Sequence, residues 1–454
     1  MADPACRAML AAKGTSGDAI IATSRIAADE RARDAGLVRG IGPVALAIAI
    51  VNGVVGSGIF ALPARLSAAV GPYAPLAYVA CAIAMAAVVI CFAEAGSRVP
   101  TSGGAYGTVE AAFGPLTGFV QGMLLWLSAV LACGGVVAAI ADAAGTIAPA
   151  LHGPGARALI MAAVLGTFAA INILGVRAGT GIVILMTLVK LVPLGLFVAV
   201  GWFAMDRVVP AGALEPAGFG RAVILALFAF SGMETILATS GEVRDPARTV
   251  PRALIAAMLF VLLLYVAVQL VAQGLLGAAL ATSAAPLADG MMRIDPRLGA
   301  LLLAGTLLSL TGWVAGDLLG GPRFLFAFGR DGLLPAALGR LHPRTAAPWV
   351  AILVHAALAL VLALTGTFEN LAVLAGLASC GIYSLACAAA LVLRRRGVAT
   401  QGAPLTFAVT PIAAVIGIAS MVTILFMGAW AEIAGFFGVI AASVLLFLLV
   451  RRKG

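Results

Sequence analysis

Few side chains in this 454-residue sequence carry polar chemistry, and several stand where an apolar run should be unbroken. In Val54–Phe60, the small residues Gly56-Ser57-Gly58 interrupt the run from Ile41 to Leu66 near its middle. A second interruption, Ser231-Gly232, lies inside Leu227–Thr235, and Glu234 follows it at the same depth. Lys190 sits about halfway along Ile182–Val200, just before Pro193. Asp317 follows Trp313 by one helical turn, so the two can share a face. Breaking a helix frees backbone N–H and C=O groups, and in an apolar medium such a break survives only where it is buried in protein or lines a cavity. A lysine at that depth either bridges carbonyls of neighbouring helices or acts as a titratable stand-in for a bound cation. Glu234 reads as a helix-gating hydrogen-bonding group rather than a ligand.

The elements that must position these residues are helices in a membrane. The chain is 63% hydrophobic and 10% charged, unlike soluble globular proteins. A spanning helix needs roughly 20 mostly apolar residues, and about twelve such runs are present. They fall near 42–66, 72–97, 115–143, 157–175, 181–204, 220–240, 252–277, 298–327, 348–365, 369–393, 405–428 and 430–450. Barrel strands would alternate apolar and polar residues over about ten positions, and these runs do not. The loop from Arg98 through Gly103-Gly104 to Phe113-Gly114-Pro115 is too glycine-rich for a long helix and too apolar for a solvated linker, so it should pack against the bundle.

The net charge of +9 does not point to nucleic acid. Counting loops from an inside N-terminus, most Lys and Arg residues fall on one side, among them Arg98, Arg177, Arg244, Arg323, Arg330 and Arg394. The positive-inside rule then puts both termini in the cytoplasm. Residues 1–40 read as a mobile cytoplasmic tail without a signal-peptide layout. The six cysteines show no metal-type spacing, and five of them, Cys81, Cys91, Cys133, Cys380 and Cys387, read as buried small hydrophobes. His152 and His342 fall at loops and His355 is alone in its run, so a catalytic constellation is not expected.

The two interrupted runs open two five-helix blocks, 41–205 and 206–395, followed by two more helices in 396–454. Five helices reverse the orientation of the second block, and interrupted helices at matching positions of an inverted repeat point to a transport site.

Five segments carry a family resemblance. They are Gly56-Ser57-Gly58-Ile59-Phe60, the loop Arg98–Tyr106, the stretch from Asn172 to Lys190, Phe230–Glu234 with Gly241–Arg248 and Pro251-Arg252-Ala253, and Pro322-Arg323 through Gly329–Pro335. Together they resemble the amino acid–polyamine–organocation permeases. The resemblance implies an all-α membrane protein of about 12 transmembrane helices, a LeuT-like five-plus-five inverted repeat with discontinuous helices one and six and two extra C-terminal helices. It implies a secondary active amino acid transporter of the bacterial inner membrane, working by alternating access as a monomer or homodimer in the lipid bilayer.

Carried over position by position, the resemblance assigns the substrate carboxylate to the backbone N–H groups of Ser57, Gly58 and Ile59. These start the outer half-helix, where orphan donors and the positive end of the dipole favour an anion. Carbonyls near Phe228, Ala229 and Ser231, with that of Val54, would take the α-amino group. Gly56 and Gly232 belong to the same two breaks. Phe228 or Phe230 is either a gate over the substrate or ordinary aromatic packing, and Trp126 and Trp313 are candidates for the pocket wall. Lys190 resembles the lysine that proton-coupled members carry where sodium-coupled relatives bind Na⁺. The proton is thus the expected coupling ion, with no cofactor and no metal. Asp317 leaves two readings open. Facing the pocket, it would bind a cationic amino acid or amine and make the protein an exchanger; facing the inner gate, it would pair with Arg323 or Lys190.

Overall fold

The computed structural model describes residues 42–56, 58–99, 104–145, 149–174, 176–206, 216–237, 243, 245–400 and 403–451. The tail 1–40, Ser57, Pro100–Gly103 and the segment Gly241, Glu242 and Arg244 lie outside the described residues.

All regular structure among the described residues is helical. The first run divides into α1 (Pro43–Val54) and α2 (Gly58–Val70). A one-turn 3₁₀ segment, Gly71–Tyr73, leads to α3 (Ala74–Arg98). The glycine-rich loop ends in a ten-residue helix, α4 (Gly104–Phe113), instead of irregular chain. Its second half, Thr108-Val109-Glu110-Ala111-Ala112, contains good helix formers. Gly104, at φ 52°, starts the helix, and the Arg396 guanidinium donates to the Ala112 carbonyl near its end. Then come α5 (Pro115–Gly145), α6 (Pro154–Leu174) and α7 (Val176–Ala204).

The second interrupted run forms α8 (Pro216–Phe230) and the short α9 (Met233–Leu237). It is followed by α10 (Pro246–Leu276), α11 (Pro286–Met292), α12 (Pro296–Gly320) and α13 (Pro322–Arg330). The chain closes with α14 (Trp349–Thr365), α15 (Phe368–Arg395), α16 (Thr410–Phe426) and α17 (Trp430–Arg451).

Among the described residues, seven helical stretches are long and apolar enough to cross a membrane, including Gly58–Arg98, Pro115–Gly145, Phe368–Arg395 and Trp430–Val450; shorter apolar helices such as α1, α14 and α16 accompany them. The periphery is apolar as well: Leu159, Phe203, Ile412 and Trp430 are exposed. Water would not tolerate so much apolar surface, and lipid does.

The interior holds one large hydrophobic cluster and a small second one of Phe119, Phe328 and Phe447. Helix α8 is at its centre, with every residue from Ala222 to Phe230 buried. Around it, α5 packs along α15, α3 along α10, α7 along α12, and α2 against α8. At one end of the bundle the buried Glu94 carboxylate collects donors from three parts of the chain. Arg98 binds it through Nε and Nη2 (3.0 and 2.7 Å), Arg394 at 2.9 Å, and the Phe407 N–H at 3.2 Å. Thr410 adds its hydroxyl. A buried carboxylate so fully paired fastens α3, α15 and the start of α16 to one another.

Candidate functional site

The two interruptions meet. Gly232 has φ +116°, and a Cβ built there would stand 2.5 Å from the Gly53 carbonyl oxygen. Only glycine satisfies both the backbone angle and the approach. At the first break the chain leaves α1 through Val55 (φ −72°, ψ 75°), and the Gly56 N–H turns back onto the Val54 carbonyl at 2.7 Å. A Cβ on Gly56 would lie 2.6 Å from Trp313 Nε1.

Each broken helix has one end satisfied from within. The C-terminal carbonyls of a helix lack partners and carry the negative end of its dipole. For α1 the cation supplied is Lys190, which donates from Nζ to the Asn52 carbonyl. Lys190 reaches this one backbone carbonyl and is not on the cavity wall. At the other break, the Gly232 N–H donates to both Glu234 oxygens, at 3.1 and 3.0 Å, and Tyr383 Oη donates to Oε2 at 2.9 Å. A carboxylate thus sits at the N-terminal end of α9, where the dipole is positive.

The other two ends open on a cavity with about 530 Å³ of empty space. From the first break come Gly53, Val54, Gly56 and Gly58, and from the second Phe228, Ala229, Ser231, Gly232, Glu234 and Thr235. Leu125, Ser128, Ala129 and Ala132 of α5 form a third wall, and Trp313 and Asp317 of α12 a fourth. The first N–H groups of α2 have no partner inside their own helix. They start beside the carbonyl end of α8, on the same cavity.

Those carbonyls are not bare. Tyr265 Oη lies 2.9 Å from the Val54 oxygen and 3.0 Å from the Ala229 oxygen, sharing its one proton between them. Ser231 donates its N–H to Phe228 O at 3.2 Å and its hydroxyl to Leu227 O at 2.9 Å. A carbonyl has two lone pairs, so the Phe228 and Ala229 oxygens can each accept a further donor, whereas the Val54 oxygen already faces both the Gly56 N–H and Tyr265 Oη. Tyr265 had no signal in the sequence beyond being a tyrosine in an apolar run; only the fold carries α10 against both breaks.

Several expected site residues are separated by the structure. Phe228 lines the cavity, edge-on to Phe368 (5.9 Å, 79°). Phe230 points away and packs with Tyr78 and Tyr265, which removes it as a gate. The Ile59 side chain is fully buried, so only its backbone is relevant here. Trp126 is off the wall, a correction to its expected place. Positions 125, 128, 129 and 132 repeat at helical spacing and form the facing stripe, and position 126 is a third of a turn round from it. Ser57 lies outside the described residues. Asp317 does line the cavity, and its partner is His355, whose Nε2 lies 2.9 Å from Oδ2. His355, alone in its run by sequence, is therefore part of a polar contact between α14 and α12.

Fold and cavity together define a helical membrane carrier whose site is walled by broken helices. Residues 41–449 match the amino acid permease family, and the chain belongs to it. It is a multi-pass membrane transporter of amino acids and not an enzyme. It is 28% identical to the serine/threonine exchanger SteT of Bacillus subtilis, over 80% of this chain and 85% of that one. It is 27% identical to the branched-chain amino acid permease BcaP of the same organism, over 92% and 94%. It is 26% identical to the B. subtilis methylthioribose transporter, over 79% and 82%.

Proposed function

We propose that this protein is a proton-coupled secondary transporter that takes up a small neutral amino acid by alternating access. The observation that carries the reading is the pair of broken helices. With Lys190 at one helix end and Glu234 at another, the two remaining ends, one positive and one negative, face the same cavity. An amino acid zwitterion has that charge pattern, and helix ends can hold it without an ionised side chain. The N–H groups at the start of α2, those of Gly58 and Ile59, take the carboxylate, and the carbonyls of Phe228 and Ala229 take the ammonium. The remaining wall, small at Ala129 and Ala132 and hydroxylated at Ser128, Ser231 and Thr235, suits a short side chain.

The architecture in this reading is a five-plus-five inverted repeat of blocks 41–205 and 206–395 with two helices added, about twelve spans in all. Both termini are cytoplasmic, and the working unit is a monomer or a homodimer. Lys190 supplies the coupling proton while holding α1. In proteoliposomes, an imposed inward proton gradient is expected to drive accumulation of serine, alanine or a similar amino acid. If Lys190→Ala retains full gradient-driven uptake, the proton role is wrong.

Asp317 on the cavity wall favours a second reading, an exchanger of cationic amino acids or amines. A serine/threonine exchanger among the relatives supports exchange as a mode. Loading liposomes with unlabelled amino acid separates the modes, since an exchanger moves label only against internal substrate. If Asp317→Asn leaves transport of lysine or amines unchanged, the cationic reading loses its basis.

A further inference from the structure

Beside the cavity, three helices bring together three different metal-ligating side chains. Cys133 is on α5, Asp317 on α12 and His355 on α14, and one donor atom from each lies within 4.8 Å of the other two. Cys133 directly follows Ala132, a wall residue, and Asp317 is itself on the wall. His355 is fully buried, with Nε2 on Asp317 and Nδ1 without any hydrogen-bond partner. A Cβ on Gly321 would stand 2.7 Å from the imidazole Cε1, so the α12–α13 junction bears directly on the ring.

We propose that Cys133, Asp317 and His355 form a binding site for a zinc-class divalent cation, and that its occupation inhibits transport. The donor set is one thiolate, one carboxylate and one imidazole, which suits Zn²⁺ and its spectroscopic surrogate Co²⁺. Metal–ligand bonds of about 2.0–2.3 Å put tetrahedral donors roughly 3.5 Å apart, so side-chain rotation of an ångström or so closes the cluster on an ion. Charge favours it too. A divalent cation with one thiolate and one carboxylate sums to zero, avoiding the cost of a net charge at membrane depth. On binding, the thiol releases its proton to water in the cavity, and the imidazole binds neutral, keeping its one proton on the ring nitrogen that does not ligate. Three protein ligands leave a fourth position, reached through the cavity on which Asp317 opens. The sequence hid this site because its ligands are far apart along the chain and no two form a recognised spacing.

The binding test does not depend on what is transported; the inhibition test rests on the amino acid reading above. Tag-free transporter in detergent is titrated with Co²⁺. One equivalent is expected to bring up a near-ultraviolet thiolate-to-cobalt band, displaced by Zn²⁺. Cys133→Ser is expected to lose the band, and His355→Gln to weaken Co²⁺ affinity at least tenfold. Absence of the band in the wild type overturns the site, as does its persistence in Cys133→Ser, since the other cysteines would then be the source. In proteoliposomes Zn²⁺ is expected to cut uptake at least fivefold in the wild type and not in Cys133→Ser. Metal binding without any loss of uptake overturns the inhibitory role alone.

Discussion

The two helix breaks do the same job with opposite chemistry. At the first, a side chain from another helix, Lys190, satisfies the carbonyl end of α1 and leaves the N–H end of α2 open. At the second, a side chain from the break itself, Glu234, satisfies the N–H end and leaves the carbonyl end of α8 open. The glycines differ as well. Gly56 is held by a side chain, the Trp313 indole, whereas Gly232 is held by backbone, the Gly53 carbonyl. A side chain can move aside for an added methyl group and backbone cannot, so the first break should tolerate change better than the second.

Gly232→Ala should have the largest effect. Strain at such a backbone angle costs about 1–3 kcal/mol, before the clash with Gly53 is counted. Uptake is expected to fall at least tenfold, read as initial rate normalised to transporter in the membrane. Gly56→Ala should lose less, and Trp313→Phe in the same chain should recover part of it. Equal losses, with no rescue, would break the contrast between the two glycines.

Removing the end-capping charges comes next. Hydrogen bonds to charged groups contribute about 1.5–3 kcal/mol, so Lys190→Met and Glu234→Ala should each lower uptake roughly tenfold or more. They act on different helices. Lys190→Met should loosen α1, and Glu234→Ala should loosen α9 and free the Tyr383 hydroxyl, which hydrogen exchange on the two segments would resolve.

Tyr265→Phe tests the link between the breaks. It removes one shared proton from the Val54 and Ala229 carbonyls, a change of about 1 kcal/mol. Substrate KM is expected to rise a few-fold with little change in protein yield. The smallest effect is expected from Trp126→Phe, less than about twofold in KM, because that indole is off the wall; Ala132→Leu, further along α5 and on the wall, should exclude the larger side chains instead.

Much of this was legible in the sequence because bilayer physics leaves few options. Apolar run length marked the helices, and the small residues at Gly56-Ser57-Gly58 and Ser231-Gly232 marked where they stop. Trp126 was misplaced because sequence shows that a residue is in a helix before it shows which face meets the cavity. Phe228 and Phe230, two residues apart, had equal claims until their rings were placed on opposite sides of α8.

By itself the sequence determined the helical membrane class, the positions of both breaks and the presence of lone charges at membrane depth. Composition and local spacing carry that information, since each helix must satisfy its own backbone in lipid. Tertiary structure alone decided the partners: Lys190 with Asn52, Tyr265 with both breaks, and His355 and Cys133 with Asp317. These pairings join residues far apart along the chain. Helix packing sets them, through which faces meet and at what height, and neither quantity is written in any one stretch of residues.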